Sequence, residues 1–302
     1  MRKPAPLEKG SPVRVIEPSS PFQRDRLPAG LKVLMDMELA PVHSERIFDA
    51  DGYLAGPDAL RAKELVSAFT TFGEKAVIPA RGGYGAMRIL DEVSGHAGGL
   101  DTRLFMGFSD ITSLHLFFLG AGDLVTFLGP NVISLSRVNA PTLNRVKATL
   151  FGLAPEDTFL YAGLSPLTSG RVQGRLVAGN LSLITSLLGT RFAAELEGAI
   201  LVLEDVDEPL YRVDRMLTQL VLQDGFHQVG GFAFGDMGVP AEDLPALTQV
   251  LRRFSEASGK PAVMGFPIGH GEDNVPVPEG IQALLDADIG LVRALESPYT
   301  EK

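Results

Sequence analysis

Ser109 lies in Leu104-Phe-Met-Gly-Phe-Ser109-Asp-Ile-Thr-Ser-Leu-His, where an apolar run passes directly into a helical pattern. A serine at such a corner has two readings. It is either a nucleophile elbow, lifting its hydroxyl out of a sheet with the following amides aimed at a developing oxyanion, or simply the N-cap of a helix. On this segment alone the cap has the stronger claim, because the second glycine of G-x-S-x-G is missing. Ala80-Arg81-Gly82-Gly83-Tyr84-Gly85 is a second strand-to-helix loop, whose bare amides can approach an anion or a carbonyl oxygen, or merely turn tightly. It has neither the lysine of a P-loop nor the dinucleotide fingerprint. Both loops would leave a parallel sheet at its C-terminal edge, which puts an oxyanion or carboxylate cradle beside Ser109.

A serine needs a base, and the sequence offers five histidines. His43, His96 and His227 carry no flanking signal, and His115 falls on the far side of the helix that follows Ser109, where it packs. His270, in Gly265-Phe-Pro-Ile-Gly269-His270-Gly271, occupies a glycine-bracketed loop after a strand, a placement that can present an imidazole at a sheet edge. Without a partner it reads as structural. Glu204 ends the apolar strand Ile200-Leu-Val-Leu-Glu204, and a carboxylate there is costly to desolvate unless it is paired. Asp205, Asp207 and Glu208 crowd the same turn, so any of the four acids could be the functional one, or the cluster could cap and pair with the helix bearing Arg212 and Arg215. No clustered histidine or H-E-x-x-H spacing supports a catalytic metal, so no cofactor is expected.

Elements that alternate must hold these loops. Strands are predicted at Val13–Ile16, Val42–Phe48, Ala76–Pro79, Leu104–Phe108 and Val125–Leu128. A helix is predicted over Asp58–Phe72, where Leu65, Ala68, Phe69 and Phe72 share one face. Continuous apolar strands between helices imply a doubly wound parallel sheet. After a linker-like stretch, Gly152 to Gly170, further strands are predicted at Ala199–Leu203, Gly231–Phe234 and Ala262–Phe266. Helices are predicted over Leu181–Leu188, Asp214–Leu222 and Leu244–Ala257, and a pair of short strands around Asp286 and Asp288 closes the chain. At 302 residues two domains are expected, 1–158 and 159–302.

Composition narrows the chemistry. There are no cysteines, which removes thiolate nucleophiles, disulfides and cysteine-ligated zinc. A formal net charge of -10 opposes nucleic acid and anionic membrane as partners and leaves a small molecule. The N-terminus interrupts any signal-like pattern with Pro4, Glu8 and Gly10, and no apolar run is long enough to span a bilayer, so a cytoplasmic protein is expected.

Taken in order, EPSSP at 17–21, GYLAGPDALRAKEL at 52–65, ARGGYGAMRILD at 80–91, GFSD at 107–110, AGNLSLITSLLGT at 178–190, LVLEDVDEPLYRVDRMLTQL at 201–220 and GFPIGHG at 265–271 resemble the LD-carboxypeptidase family of serine peptidases. That family includes muramoyltetrapeptide carboxypeptidases of peptidoglycan recycling and microcin C self-immunity peptidases. The resemblance implies a flavodoxin-like N-terminal domain, a C-terminal swivelling β/α domain, and a Ser-Glu-His triad on Ser109, Glu204 and His270. It implies amides near Gly83 and Asp110 as oxyanion donors and a peptide substrate, either a muropeptide or a peptide-nucleotide analogue. Arg81 and Arg212 are candidate carboxylate binders, and a homodimer is compatible with the family. One departure concerns Leu128-Gly129-Pro130, where members often have His-Gly-Pro; it puts the usual pocket wall in doubt. A silent binding protein and an esterase or amidase of another substrate class are the competing readings. The complete set of triad candidates argues against the first, and small esters compared with L,D-peptides separate the second.

Overall fold

The computed structural model describes residues 1–71 and 73–300. Five short strands alternate with helices in the first half: β1 (Pro12–Ile16), β2 (Ala40–Val42), β3 (Ala76–Pro79), β4 (Leu104–Gly107) and β5 (Thr126–Leu128). They pair in parallel in the order β2-β1-β3-β4-β5, the flavodoxin-like winding. All side chains of β3 and β4 are buried, as a sheet covered on both faces requires. In that winding the order reverses between β1 and β3, and ligands bind off the C-terminal ends of the strands there. Glu17 follows β1, Arg81 follows β3 and Ser109 follows β4 within two residues of each strand's end.

The second sheet takes β6 (Leu160–Ala162), β7 (Ser165–Thr168), β8 (Arg171–Asn180), β9 (Ile200–Glu204), β10 (Gly231–Phe234), β11 (Ala262–Met264), β13 (Gln282–Asp286) and β14 (Leu291–Ala294), in the order β6-β14-β13-β8-β9-β10-β11-β7. Its centre, β8 to β11, is parallel, and antiparallel strands flank it. One strand crosses back: β12 (Val277–Glu279) runs antiparallel to β5 at the edge of the first sheet. The two buried apolar clusters each draw on both sheets, so the halves share core. No helix among the described residues is long and apolar enough to cross a membrane.

Most predicted elements appear within two residues of their bounds, and the differences are as follows. The expected strand Val42–Phe48 ends at Val42. Ser44 donates to Glu64 at 2.9 Å and Arg46 donates to the Ala55 carbonyl at 3.1 Å, so Glu45–Phe48 coils into a 3₁₀ turn. The stretch Gly152 to Gly170 is no linker: it holds the helix Pro155–Thr158 and edge strands β6 and β7, too short to show a period. The helix predicted from Asp214 begins at Leu210, directly after Pro209, which has no N–H to leave unsatisfied. The helix predicted to Phe72 runs Asp58–Thr70, with Phe72 itself outside the described residues. Prolines hid β12, yet Pro278 sits on an edge strand, where a missing donor is tolerated.

Candidate active site

Ser109 stands at a strained corner. Its φ of 66° is left-handed, a region costly for a residue with a Cβ, and it opens a 3₁₀ turn, Ser109–Ile111, that leads into the helix Thr112–Leu119. Phe108 holds the N-cap position without a side-chain cap, so the hydroxyl of Ser109 is not spent on capping. The corner is clamped by Asn131, which accepts the Phe108 N–H at 3.2 Å and donates to the Phe108 carbonyl at 3.4 Å. Beneath it, the fully buried His115 ties β4 to β5, with Nε2 2.8 Å from the Gly107 carbonyl and Nδ1 2.8 Å from the Thr126 hydroxyl. A carbonyl only accepts, so Nε2 carries the proton and Nδ1 accepts from Thr126. Burial lowers the His115 pKa to about 4, so the ring is neutral and its contact with the buried Glu279, 3.3 Å away, is not an ion pair; burial also raises the Glu279 pKa.

The glycine loop abuts Ser109. A Cβ on Gly82 would lie 2.9 Å from the Ser109 Cβ and 3.1 Å from its Oγ, so only glycine lets the loop come this close. Gly83 has φ 115°, and among the described residues no backbone or side-chain oxygen accepts its N–H. Glu17 fixes the loop from below: its two oxygens accept the N–H groups of Ser19 and Arg81, each at 3.0 Å. Burial drives its pKa well up, against the pull of those two bonds and the Arg81 charge. Arg61, fully buried in the helix Asp58–Thr70, donates to the carbonyls of Pro18, Gly85 and Gly56 and so joins the loop after β1 to the glycine loop. Gly82→Ala is expected to displace Ser109 and lower kcat/KM by about 10²-fold, the usual cost of a misplacement near 1 Å. The check is steady-state kinetics beside a thermal melt, and unchanged kinetics would show that the loop has slack.

His270 reaches this corner from the other half. Its Nδ1–H donates to Glu204 Oε2 at 2.8 Å, its ring lies 4.9 Å from that of Phe108, and it lines a cavity of about 250 Å³ together with Ser109, Gly82 and Gly83. Glu204 is 1% exposed and the His270 side chain 22%, so the carboxylate is hidden behind an imidazole that faces the cavity. No hydrogen bond joins Ser109 to His270 among the described residues, and such bonds are commonly long until substrate is bound. Burial lowers the His270 pKa, but the bond to Glu204 and the charges of Glu204, Asp205 and Asp207 outweigh it and leave the imidazole above its ordinary value.

The crowded acids separate by what they touch. Asp205 accepts from Asn180 at 3.0 Å, Ser182 N–H at 2.9 Å and Val206 N–H at 2.9 Å, holding the start of the helix Leu181–Ser186; burial raises its pKa to about 6. Glu208 pairs with Arg212 at 3.3 Å on the surface, and Arg212 does not line the cavity. The i,i+4 spacing on its helix gives Arg212 a nearby acid, away from the residues that line the cavity. Arg81 does line the cavity, with Nη1 donating to the Pro21 carbonyl at 2.9 Å. The Asp110 side chain turns inward to accept the Ala86 N–H at 2.8 Å, which leaves only its backbone amide as an oxyanion donor. Leu128 is buried in the core and forms no part of the cavity wall; Asn131, three residues on, does. Asn131, Glu17 and Arg61 carried no recognisable signal as individual residues.

Family models for the LD-carboxypeptidase N-terminal domain and the LD-carboxypeptidase C-terminal domain match residues 13–129 and 173–285. The chain belongs to the LD-carboxypeptidase family. It is a serine-type carboxypeptidase, a hydrolase. Among its relatives, a Bacillus subtilis protein named as a probable murein peptide carboxypeptidase is 37% identical over 295 residues, covering 94% of this chain and 91% of the relative. The murein tetrapeptide carboxypeptidase of Pseudomonas aeruginosa is 32% identical over 287 residues, covering 91% and 93%. The MccF-like protein of Bacillus anthracis has the same fold, with a TM-score of 0.86 at 22% identity over 97% of this chain and 98% of that one. In this LD-carboxypeptidase, β4 of the first sheet delivers Ser109, while β9 and the loop after β11 of the second deliver Glu204 and His270. The site is therefore built between the two sheets.

Proposed function

We propose that this LD-carboxypeptidase hydrolyses the amide between an L-configured centre and a terminal D-amino acid, as in recycling of murein tetrapeptides in the cytoplasm, through a Ser109–His270–Glu204 triad. The observation that carries the reading is the Glu204–His270 bond at 2.8 Å opening onto the cavity that Ser109 lines from its strained corner. His270 Nε2 takes the Ser109 proton as Oγ attacks the carbonyl carbon, and Glu204 stabilises the imidazolium. The Gly83 and Asp110 amides receive the oxyanion. The imidazolium then protonates the leaving nitrogen, and water, deprotonated by His270, releases the acyl group and regenerates Ser109. No step asks for a cofactor. Residues 1–158 would act as the nucleophile-bearing domain and 159–302 as the base-bearing one, with the peptide between them.

The terminal carboxylate is assigned to Arg81. Amidating it should raise the barrier by about 1.5 to 3 kcal/mol, the range for a charged hydrogen bond. The test compares matched tetrapeptides ending in D-Ala and L-Ala, with a peptidyl-adenylate mimic as third substrate. The D-terminal peptide is expected to be preferred. Preference for the L-terminal peptide would refute the reading, and preference for the mimic would move the protein to the immunity-peptidase branch.

The raised pKa of His270 fixes the sign of a pH effect. The base must be neutral to accept a proton, so kcat/KM should rise with pH through a limb centred above 6.5, the ordinary histidine value. Asp207→Asn removes one charge that raises it and should move the limb to lower pH. A limb below the ordinary value, or no movement in that variant, would contradict the assignment of His270.

A further inference from the structure

Three guanidinium groups, of Arg26, Arg81 and Arg137, line the cavity beside Ser109 in a chain whose net charge is -10. Some arginines elsewhere meet carboxylates, Arg14 with Glu74 at 2.8 Å and Arg88 with Asp58 at 2.6 Å, and others, such as Arg2 and Arg145, are held by backbone carbonyls. Among the described residues Arg26, Arg81 and Arg137 meet none, and the buried Nε of Arg26 has no hydrogen-bond partner. Burial, then the charges of Arg137 and Arg81, push the Arg26 guanidinium below its ordinary value, with Asp25 working the other way. Like charges gathered in a concave site repel one another unless an anion sits among them. A second observation points the same way. Asn274 lines the cavity and is 2% exposed, yet neither its Nδ2 nor its Oδ1 has a partner. A buried amide with both ends unmet is costly and calls for a ligand that both accepts and donates.

One terminal carboxylate on Arg81 would leave two guanidinium groups and this amide unanswered. We propose that Arg26, Arg137 and Asn274 form a second anion subsite, which takes a carboxylate of the peptide other than its terminal one, so that the substrate is at least a diacid. This deepens the reading that a peptide lies in the Ser109 cavity and rests on it. Arg137 is exposed and would act as the outer donor, Arg26 as the inner one, while Asn274 Nδ2 donates to the carboxylate and Oδ1 accepts a peptide N–H.

The test separates binding from turnover by using the Ser109→Ala protein and calorimetry. The probes are tetrapeptides ending in D-Ala with one internal acidic side chain, at either of the two residues before the terminal one, free or amidated. Amidating the internal carboxylate is expected to weaken binding about ten- to hundred-fold at one of these positions. Adding Arg137→Gln should weaken the free acid by a similar factor and leave the amide within about three-fold. Equal weakening of acid and amide, or no dependence on the internal carboxylate at either position, would overturn the subsite. Release of D-Ala by the unaltered enzyme is read separately. Its absence alongside an intact binding cycle would count against the proposed reaction and leave the subsite standing.

Discussion

Ser109→Ala and His270→Ala should each lower kcat/KM for the preferred peptide by about 10⁴- to 10⁶-fold, and the double variant should be little worse than either. In the proposed triad the two side chains act as one unit. Without the hydroxyl there is nothing for the imidazole to deprotonate, and without the imidazole the hydroxyl meets the carbonyl as a neutral alcohol. What survives is the contribution of the glycine-loop amides and of substrate positioning, which neither substitution touches. Steady-state kinetics on the three variants, with thermal melts to confirm folding, is the measurement. Activity near that of the unaltered enzyme in either single variant would remove that residue from the mechanism, and losses that multiply in the double variant would mean that the two act in separate steps.

Glu204→Gln is expected to lower kcat by about 10²- to 10⁴-fold, less than loss of the nucleophile. The glutamine carbonyl still accepts the Nδ1–H of His270, so ring orientation is largely kept. What goes is the negative charge that stabilises imidazolium in the transition state and that holds the His270 pKa up. The acidic limb of the pH profile should therefore move down in the same variant, a readout that mere loss of packing would not produce. Asp205→Asn is the control. Asp205 supports the start of the helix Leu181–Ser186 and reaches His270 only through its charge, so its loss should be the smaller one. An equal or larger loss from Asp205 would transfer the orienting role to it.

The parts of this site that read clearly in the sequence are those where local pattern and chemistry coincide. The strand-to-helix switch at Ser109, the carboxylate at the tip of β9 and the glycine-bracketed loop of His270 after β11 each put a candidate side chain beyond the C-terminal end of a strand or at its tip, which period and composition can locate. What those patterns left open was partnership. Glu204 and Asp205 are adjacent on one strand end and differ only in the face they present, since successive side chains alternate: Glu204 meets His270 and Asp205 meets Asn180. Arg212 and Arg81 read alike in the sequence, but only Arg81 lines the cavity, while Arg212 pairs with Glu208 at i,i+4 spacing. Glu17 and Arg61 fall in the stretches EPSSP and GYLAGPDALRAKEL, but their roles and that of Asn131 were hidden for a different reason. Glu17, Arg61 and Asn131 act on backbone groups far along the chain, and a side chain that satisfies distant carbonyls or amides leaves no periodic trace. The return of β12 to the first sheet is of the same kind, a long-range pairing in a proline-rich run.

Ser109 as the nucleophile is the claim on which the rest depends, and a neutral fluorophosphonate tests it without reference to any substrate. Stoichiometric reaction should place one adduct on the peptide containing Ser109 by mass spectrometry, with peptide turnover falling in proportion to the fraction modified, and no adduct should form in the Ser109→Ala protein. An adduct confined to another residue, or full turnover by protein modified at Ser109, would contradict the account.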